Sequence, residues 1–218
     1  MKKNITIAID GTAASGKGTL AKKLAKEFNY AHLDTGKLYR ASALIIKEKD
    51  INYQNLKEII KILKDYNFTD FDFNNDKLKI DKFGKLASLI SGYKELREIL
   101  LLSQRKFANK RHSKRLGVIL DGRDIGSVVL PEANIKFFVT ASLRVRAERR
   151  WKELISLGQS TIKRHVEKDL RDRDERDSKR KHSPLIISPD AVLIDTTNLN
   201  ADEVFLLAKN NVEEYLRY

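Results

Sequence analysis

The stretch Ile5-Thr6-Ile7-Ala8-Ile9-Asp10-Gly11-Thr12-Ala13-Ala14-Ser15-Gly16-Lys17-Gly18-Thr19 decides the fold of this chain. An apolar run typical of a buried strand comes first, a loop framed by glycines follows, and a helix is predicted to begin near Lys17. The spacing Gly-x-x-x-x-Gly-Lys is that of a phosphate-binding loop, in which backbone N–H groups surround phosphate oxygens and the lysine reaches the outer ones. Glycine is needed because the backbone must turn sharply and approach the anion closely. The stretch therefore predicts a nucleotide-phosphate site and leaves the reaction open.

The residue after the lysine departs from the common form of this loop. Gly18 stands where a serine or threonine usually binds Mg²⁺, and Thr19 follows one position later. The ligation of a metal at this point is therefore left open. The form Gly-Lys-Gly-Thr is typical of nucleoside monophosphate kinases, so the loop favours a small kinase over a GTPase or an ATP-driven motor.

Composition limits the class of protein. The 218 residues are 41% hydrophobic and 33% charged, enough for one domain with subdomains. No apolar run approaches the roughly 20 residues of a membrane span, and residues 1–4 lead directly into the first strand, so we expect neither a membrane partner nor a signal peptide. The absence of cysteine excludes disulfides, thiolate metal sites and a cysteine nucleophile, and it suits a cytoplasmic protein.

The formal net charge of +13 has two interpretations. It could mark a nucleic-acid-binding surface, or it could combine lysine-rich usage with an arginine-lined pocket for small phosphates. The chain shows neither a nucleic-acid-binding motif nor a basic tract interleaved with aromatic residues. We therefore favour the second interpretation and expect no nucleic-acid partner.

Short apolar runs separated by helical patterns predict an α/β fold with a parallel five-stranded sheet and helices on both faces. The predicted strands are 5–9, 31–33, 118–120, 136–139 and 192–194. Four of them are followed by an aspartate, namely Asp10, Asp34, Asp121 and Asp195. Because ligands of open α/β sheets bind beyond the carboxyl ends of the strands, we expect the site there.

A long segment, residues 38–112, separates the second strand from the third and is predicted to be a substrate-binding lobe. Helices are predicted over 38–49, 56–65, 82–90 and 95–109. Between the second and third of these helices, Phe71-Asp72-Phe73 and Leu78-Lys79-Ile80 flank an Asn/Asp-rich turn, which predicts a small β-hairpin.

Residues 163–182 are almost entirely charged, with Val166 and Leu170 as the only aliphatic side chains. Such a run is usually a solvated helix with ion pairs four residues apart. At 100° per residue, however, a row of polar residues continues the line of these two apolar side chains. That row is Arg173, Arg176, Asp177 and Arg180, and Pro184 follows soon after it. An inward-facing row of arginines predicts a mobile lid that closes on an anion.

Several short motifs now coincide in order and spacing. Leu33-Asp34-Thr35-Gly36-x-x-Tyr39-Arg40 follows the second strand, Leu120-Asp121-Gly122-Arg123-Asp124-Ile125-Gly126 follows the third, and Arg173-Asp174-Glu175-Arg176-Asp177 lies in the predicted lid. With the phosphate loop, this set resembles bacterial cytidylate kinases over nearly the whole chain. Small departures are Thr12-Ala13-Ala14 in the loop and Ser178 in the lid.

The resemblance implies a P-loop NTPase-type fold in one kinase domain. Its core would comprise residues 1–37, 113–158 and 186–218, its NMP-binding insert about 38–112, and its helical lid about 159–185. It implies reversible transfer of the ATP γ-phosphoryl group to CMP or dCMP, with Mg²⁺, by a monomer. The loop residues implied to bind ATP are Gly11, Thr12, Ala13, Ala14, Ser15, Gly16, Lys17, Gly18 and Thr19.

The resemblance also assigns roles outside the loop. Lys17, Arg123, Arg176 and Arg180 would carry catalysis, and Thr19 and Asp121 would help to hold Mg²⁺. Arg40, Arg123 and Arg180 would grip the acceptor phosphate, because guanidinium groups match phosphate oxygens. Ser88, Arg97 and Asp124 would read the cytosine, Arg173 and Asp177 would contact the sugar, and Thr35 and Tyr39 would lie in the same site.

Two other functions stay open at this point. The chain could be a small P-loop kinase with another acceptor, such as AMP, UMP or a non-nucleotide, or a basic nucleotide-dependent nucleic-acid-binding protein. Taken one at a time, Ser88 and Arg97 could be ordinary helix residues, and Asp121 and Asp124 could simply cap the following turn. The histidines, which include His32 and His112, show no metal-like spacing, and we assign them no role.

Overall fold

The computed structural model describes residues 5–68, 71–110 and 112–217. The expectation about a signal peptide concerns residues 1–4 and lies outside them. Within the described residues, a parallel sheet has the strand order β2-β3-β1-β4-β5, which confirms the predicted five strands. The strands are β1 (Ile5–Gly11), β2 (Ala31–Asp34), β3 (Gly117–Gly122), β4 (Ile135–Thr140) and β5 (Val192–Asp195).

Helices cover both faces of the sheet, as predicted. They are α1 (Lys17–Glu27), α2 (Thr35–Glu48), α3 (Leu56–Leu63), α4 (Asp81–Ile90), α5 (Lys94–Asn109), α6 (Leu143–Ser156), α7 (Lys163–Lys179) and α8 (Ala201–Arg217). Ile7 and Ile9 pack with α1 and α8 on one face, whereas Ala8 packs with Ala108 of α5 on the other. A central strand buried on both faces explains why β1 is a continuous apolar run.

The insert has a hydrophobic cluster of its own. Its four predicted helices are present as α2 to α5, and side chains from all four, such as Leu44, Ile59, Ile90 and Leu100, share one buried cluster. This packing supports a separate lobe, and the boundary at residues 38 and 112 stays a prediction.

The predicted hairpin is wrong. Residues 71–75 form turns and bends, and Asp76–Lys79 forms a 3₁₀ helix. The Asn75 side chain accepts a hydrogen bond from the Lys77 backbone N–H, and Asp72 accepts one from that of Asn74. Side chains of this kind satisfy nearby N–H groups locally, in competition with a strand ladder. The rings of Phe71 and Phe73 pack against each other, 5.2 Å between centroids, instead of lining a sheet face.

The lid sequence forms the helix α7, which ends at Lys179, three residues before the end of the charged run. Val166 and Leu170 pack against Ala147 and Leu154 of α6, so the inward phase predicted for the helix is confirmed. Beyond it the chain turns back, and the Leu185 backbone N–H donates to the Asp177 carbonyl. No helix in the described part of the chain is long and apolar enough to cross a membrane.

The two loop glycines differ in what surrounds them. Both have positive φ, +149° at Gly11 and +93° at Gly16. A Cβ on Gly11 would lie 1.9 Å from the Val139 carbonyl oxygen in β4, whereas a Cβ on Gly16 would meet nothing within 4 Å. Gly11 therefore allows β1 and β4 to approach where the loop begins.

We predict that Gly11→Ala lowers the free energy of unfolding by about 3 kcal/mol or more, because backbone must move to relieve the overlap. Gly16→Ala is the matched control and should cost only about 1–2 kcal/mol, the strain of a left-handed conformation with a Cβ. Urea denaturation of the two variants measures the difference. Equal losses would contradict a packing role for Gly11.

Candidate active site

A polar cavity of about 250 Å³ lies beyond the carboxyl ends of β2 and β3, between the phosphate loop, the insert and α7. Its position is the one expected for a ligand of a parallel α/β sheet. Most predicted site residues line it together: Ala13, Ala14, Lys17, Gly18, Thr35, Tyr39, Arg40, Ser88, Arg97, Asp121, Arg123, Asp124, Arg173, Asp177 and Arg180.

The remaining predicted residues lie outside this central cavity. Gly11 and Thr12 lie in the strand end and the first part of the loop. Ser15, Gly16 and Thr19 line a second cavity, which Arg149, Thr196 and Asn200 close from the other side. Arg176 lies at the flank, where its guanidinium donates to Ser88 Oγ at 3.4 Å.

Lys17 is the buried cation of the loop. Its Nζ donates to the Thr12 carbonyl oxygen at 3.4 Å. Burial, followed by the positive charge of Arg123, lowers the pKa of Lys17 from 10.5 to about 7. The nearby carboxylates of Asp121 and Asp34 act in the opposite direction without outweighing burial, so a further anion at the loop would favour the charged form of Lys17.

The turn after β3 is held by the end of β1. The Asp10 carboxylate accepts hydrogen bonds from the backbone N–H groups of Ile125 and Gly126, both at 2.7 Å. Burial raises the pKa of Asp10 to about 6, although these hydrogen bonds act in the opposite direction. Thr35 Oγ1 donates to the Asp121 carbonyl oxygen at 2.8 Å and ties the start of α2 to the same turn. The turn therefore presents Arg123 and Asp124 from a fixed backbone.

Arg97 and Asp124 form a buried ion pair, with 2.5 Å between Arg97 Nη2 and Asp124 Oδ2. Arg97 also donates to the Ser91 carbonyl oxygen, and its guanidinium lies 5.5 Å from the centre of the Tyr39 ring. Burial raises the pKa of Tyr39 to about 12, so its hydroxyl stays neutral. This corner joins a carboxylate, a guanidinium and an aromatic ring.

Asp177 is surrounded by arginines. Its carboxylate lies 2.9 Å from Arg123 Nε, 3.8 Å from Arg173 Nε and 3.9 Å from Arg180 Nη1. Burial alone would raise the pKa of Asp177, but these three charges outweigh it and hold the pKa below its usual value. Asp124 also lies 3.8 Å from Arg180, but it pairs with Arg97, so two carboxylates face four arginines and positive charge is left uncompensated.

Arg173 is one of the arginines whose positive charge is not fully compensated. Burial, followed by repulsion from Arg123, lowers the pKa of Arg173 to about 9. Its Nε is buried without a hydrogen-bond partner among the described residues. Buried donors of this kind require acceptors, and phosphate oxygens would provide them.

Sequence reasoning missed Arg150 on α6. Its guanidinium pairs with Asp81 at 2.7 Å and Glu153 at 2.8 Å, and it lines both the central and the second cavity. Arg146 on the same helix pairs with Asp174 of α7 and donates to the Ala13 carbonyl oxygen of the loop. The run Arg144-Val145-Arg146-Ala147-Glu148-Arg149-Arg150 after a buried strand was the available signal.

The two predicted metal ligands, Thr19 and Asp121, line different cavities. Asp121 lines the central cavity, whereas the exposed Thr19 lines the second one. The reason is helical geometry, since residues 18 and 19 of α1 point about 100° apart. The carboxylate beside Asp121 is that of Asp34, its register partner across β2 and β3. Burial and the charge of Asp121 raise the pKa of Asp34.

Helix α7, which is predicted to be the lid, contacts α4 of the insert. Lys85 of α4 pairs with Asp169 of α7 at 2.7 Å. The Ser88–Arg176 hydrogen bonds lie one turn further along α4 and two turns further along α7. Of the row predicted on this helix, Arg173, Asp177 and Arg180 line the central cavity, whereas Arg176 is exposed at its flank.

The loop, the strand order and the arginine-lined cavity define a P-loop kinase. The family description of cytidylate kinases matches residues 7–214, and the chain belongs to the cytidylate kinase family. It is 43% identical to the cytidylate kinase of Rhodospirillum rubrum over 93% of this chain and 94% of that one. It is 40% identical to the cytidylate kinase of Fusobacterium nucleatum over 97% and 98% of the two chains. Members of this family are phosphotransferases, with ATP as the phosphoryl donor.

Solved structures agree on the fold at lower sequence identity. An uncharacterized protein from Eubacterium ventriosum matches with a TM-score of 0.54 and 15% identity, covering 98% of this chain and 99% of its own. A gluconokinase from Sinorhizobium meliloti matches with a TM-score of 0.50 and 13% identity, covering 100% and 99%. These likenesses concern the arrangement of the sheet and helices.

The depressed pKa of Lys17 predicts proton uptake on nucleotide binding. With a pKa of about 7, Lys17 is mostly neutral at pH 8, and nearby phosphate charge would restore its proton. Calorimetry of ADP binding in buffers of different ionisation enthalpy should give an uptake of about one proton more for the wild type than for Lys17→Arg, whose guanidinium stays charged. The same uptake in both proteins would contradict the assignment of this proton to Lys17.

Proposed function

We propose that this protein transfers the γ-phosphoryl group of ATP reversibly to CMP or dCMP. Family membership supports the reaction. The observation that carries the choice of acceptor is the buried Arg97–Asp124 pair, which lies in one cavity with unpaired arginine donors. A base-reading group and a phosphate-binding group are thus arranged in a single site beside the loop.

We place the donor at the phosphate loop and in the second cavity. The backbone N–H groups of the loop and Lys17 would bind the ATP phosphates. The second cavity lies against Thr19 at the start of α1 and is lined by Arg149, whose guanidinium donates to Thr196 and to the Leu199 carbonyl oxygen. The second cavity adjoins the loop on the side away from Arg97 and Asp124, so it suits the nucleoside of the donor.

The residues at the loop fit Mg²⁺ bound chiefly through phosphates and water. The described residues contain no cluster of three or more side chains that could ligate a metal alone. Asp34 and Asp121 are two adjacent carboxylates near Lys17, and one or two carboxylates with substrate phosphates is the usual set for Mg²⁺. When bound, Mg²⁺ would neutralise charge on the β- and γ-phosphates. Asp34 thus replaces Thr19 in our assignment.

We place the acceptor phosphate among Arg40, Arg123 and Arg180. Arg40 reaches the cavity from α2, Arg123 from the turn after β3 and Arg180 from the end of α7. Their convergence from three segments would orient the phosphate for in-line transfer and offset charge on the transferring group. Arg173 and Asp177 would contact the sugar between phosphate and base.

The cytosine would lie against Ser88, Arg97 and Asp124, with Thr35 and Tyr39 beside it. A carboxylate accepts from the cytosine N4 amine, and a guanidinium can donate to the ring acceptors. Uracil presents an O4 acceptor at that position, which would face the Asp124 carboxylate without a proton between them. We therefore expect UMP to bind poorly.

The lid would complete the site. Arg176 lies against Ser88, at the edge of the proposed base site, and α7 carries Arg173 and Arg180 into the cavity. Closure of this segment would exclude water, whose attack on the γ-phosphate would hydrolyse ATP. We also propose that the protein acts as a cytoplasmic monomer and binds no nucleic acid.

A coupled ADP-release assay tests the proposal. We expect turnover with CMP and dCMP and little with UMP, dTMP, AMP or shikimate. Turnover confined to another acceptor would favour a different small P-loop kinase. No turnover together with RNA or DNA binding that falls steeply with salt would favour a nucleic-acid-binding protein.

The base assignment makes a second prediction. Asp124→Asn removes the negative charge that uracil O4 would face and offers it an amide donor. We expect the ratio of kcat/KM for CMP over UMP to fall by about 10- to 100-fold. Asp169→Asn is the matched control, because it removes a carboxylate on α7 that pairs with Lys85 outside the base site. An unchanged ratio in Asp124→Asn would place base recognition elsewhere.

A further inference from the structure

His32 contacts the proposed active site from behind. It lies on β2, and its Nε2 is 2.7 Å from Asp121 Oδ1 on β3. The side chains are 16% and 4% exposed, so the contact is shielded from water. Because a carboxylate only accepts hydrogen bonds, His32 Nε2 is the donor.

The two oxygens of Asp121 face different groups. While Oδ1 accepts from His32, Oδ2 points toward the start of α1, 3.8 Å from where a Cβ on residue 18 would lie. Residue 18 is the position at which phosphate loops commonly carry a hydroxyl, and here it is a glycine. Asp121 Oδ2 therefore faces the space that the missing side chain would occupy.

We propose that His32 is a positioning residue that holds the Asp121 carboxylate toward the phosphate loop. Because residue 18 has no hydroxyl to offer, an oriented carboxylate would contribute more to holding Mg²⁺ and its water beside the phosphates. A free carboxylate could rotate about χ2, and the hydrogen bond from His32 selects one orientation. The inference rests on the proposed function, since it assigns Asp121 to the metal side of that site.

The placement of the ring on the sheet supports this role over simple packing. His32 and Asp34 share one face of β2, and Asp34 lies beside Asp121 in the register of β2 and β3. The other side of His32 opens on an outer groove lined by Lys22, Lys26 and His112. The His32 ring therefore lies between the outer groove and the site. It contacts the Asp121 carboxylate but does not line the cavity in which we place the substrate.

His32→Phe and His32→Gln separate hydrogen bonding from packing. Phenylalanine keeps a ring and loses the donor, whereas glutamine keeps an N–H at a reach similar to that of Nε2. Removing groups that orient metal ligands typically costs about 10- to 100-fold in metal affinity or activity. His112→Phe is the matched control, since His112 lines the same groove and contacts the Phe107 carbonyl oxygen instead.

Two readouts test the inference. The first is the affinity for Mg²⁺ of the complex with a non-hydrolysable ATP analogue, by calorimetry, and the second is kcat and KM for CMP across Mg²⁺ concentrations. His32→Phe should weaken Mg²⁺ affinity and lower kcat by about 10-fold or more, with the KM for CMP little changed, and His32→Gln should recover most of the loss. His112→Phe should match the wild type in both.

Two results would overturn the inference. One is an unchanged Mg²⁺ affinity and kcat in a folded His32→Phe protein. The other is a loss in His32→Gln as large as in His32→Phe, because the hydrogen bond would then not be responsible. Circular dichroism and thermal melting establish folding for each variant. If the wild type itself fails to phosphorylate CMP or dCMP, the proposed function fails, and the Mg²⁺ titration still tests whether His32 orients Asp121.

Discussion

The cost of burying like charges is the constraint on which this structure depends. Seven basic side chains and five carboxylates line the central cavity in the described part of the chain. Asp124 and Asp177 hold arginines in place, but the pKa values of Lys17 and Arg173 stay depressed because burial and repulsion from Arg123 outweigh the carboxylates near them. An anionic ligand with several phosphate oxygens relieves this imbalance. The imbalance is consistent with the nucleotide site that we propose, and it means that part of the net charge of +13 is directed inward.

The sheet makes this arrangement possible by bringing three strand ends to one edge. Asp10, Asp34 and Asp121 are each the last or second-last residue of a separate strand, yet they have different surroundings. Asp10 accepts from backbone N–H groups and holds the turn that carries Arg123. Asp34 and Asp121 remain near Lys17, where we place the metal. Their sequence contexts are alike, and their surroundings decide what each carboxylate does.

The sequence pattern predicted the local structure correctly where one interaction dominates and incorrectly where several compete. The strands were predictable because a central strand such as β1 must be apolar on both faces, and the phase of α7 was predictable from Val166 and Leu170. The hairpin predicted for residues 71–80 is absent because the side chains of Asn75 and Asp72 accept hydrogen bonds from nearby backbone N–H groups. The pattern of apolar and polar residues alone does not reveal this alternative. The structure places Thr19 at another cavity than Asp121, because one step along α1 turns its side chain away, and the metal role predicted for Thr19 stays a prediction. Arg150 and His32 were missed because the contacts that bring them to the site, with Asp81 and with Asp121, are distant in sequence.

The sequence by itself determined the phosphate loop, the strand and helix order, and most of the residues that meet in the cavity, because short-range spacing and strand-end position specify them. It also supported membership of the cytidylate kinase family through motifs in a fixed order. Only the tertiary structure decided which of these side chains pair. The Arg97–Asp124 contact, the Arg123–Asp177 contact and the His32–Asp121 hydrogen bond each join segments that are far apart in the chain or on different strands. Such contacts depend on how layers pack, and local sequence carries little information about that.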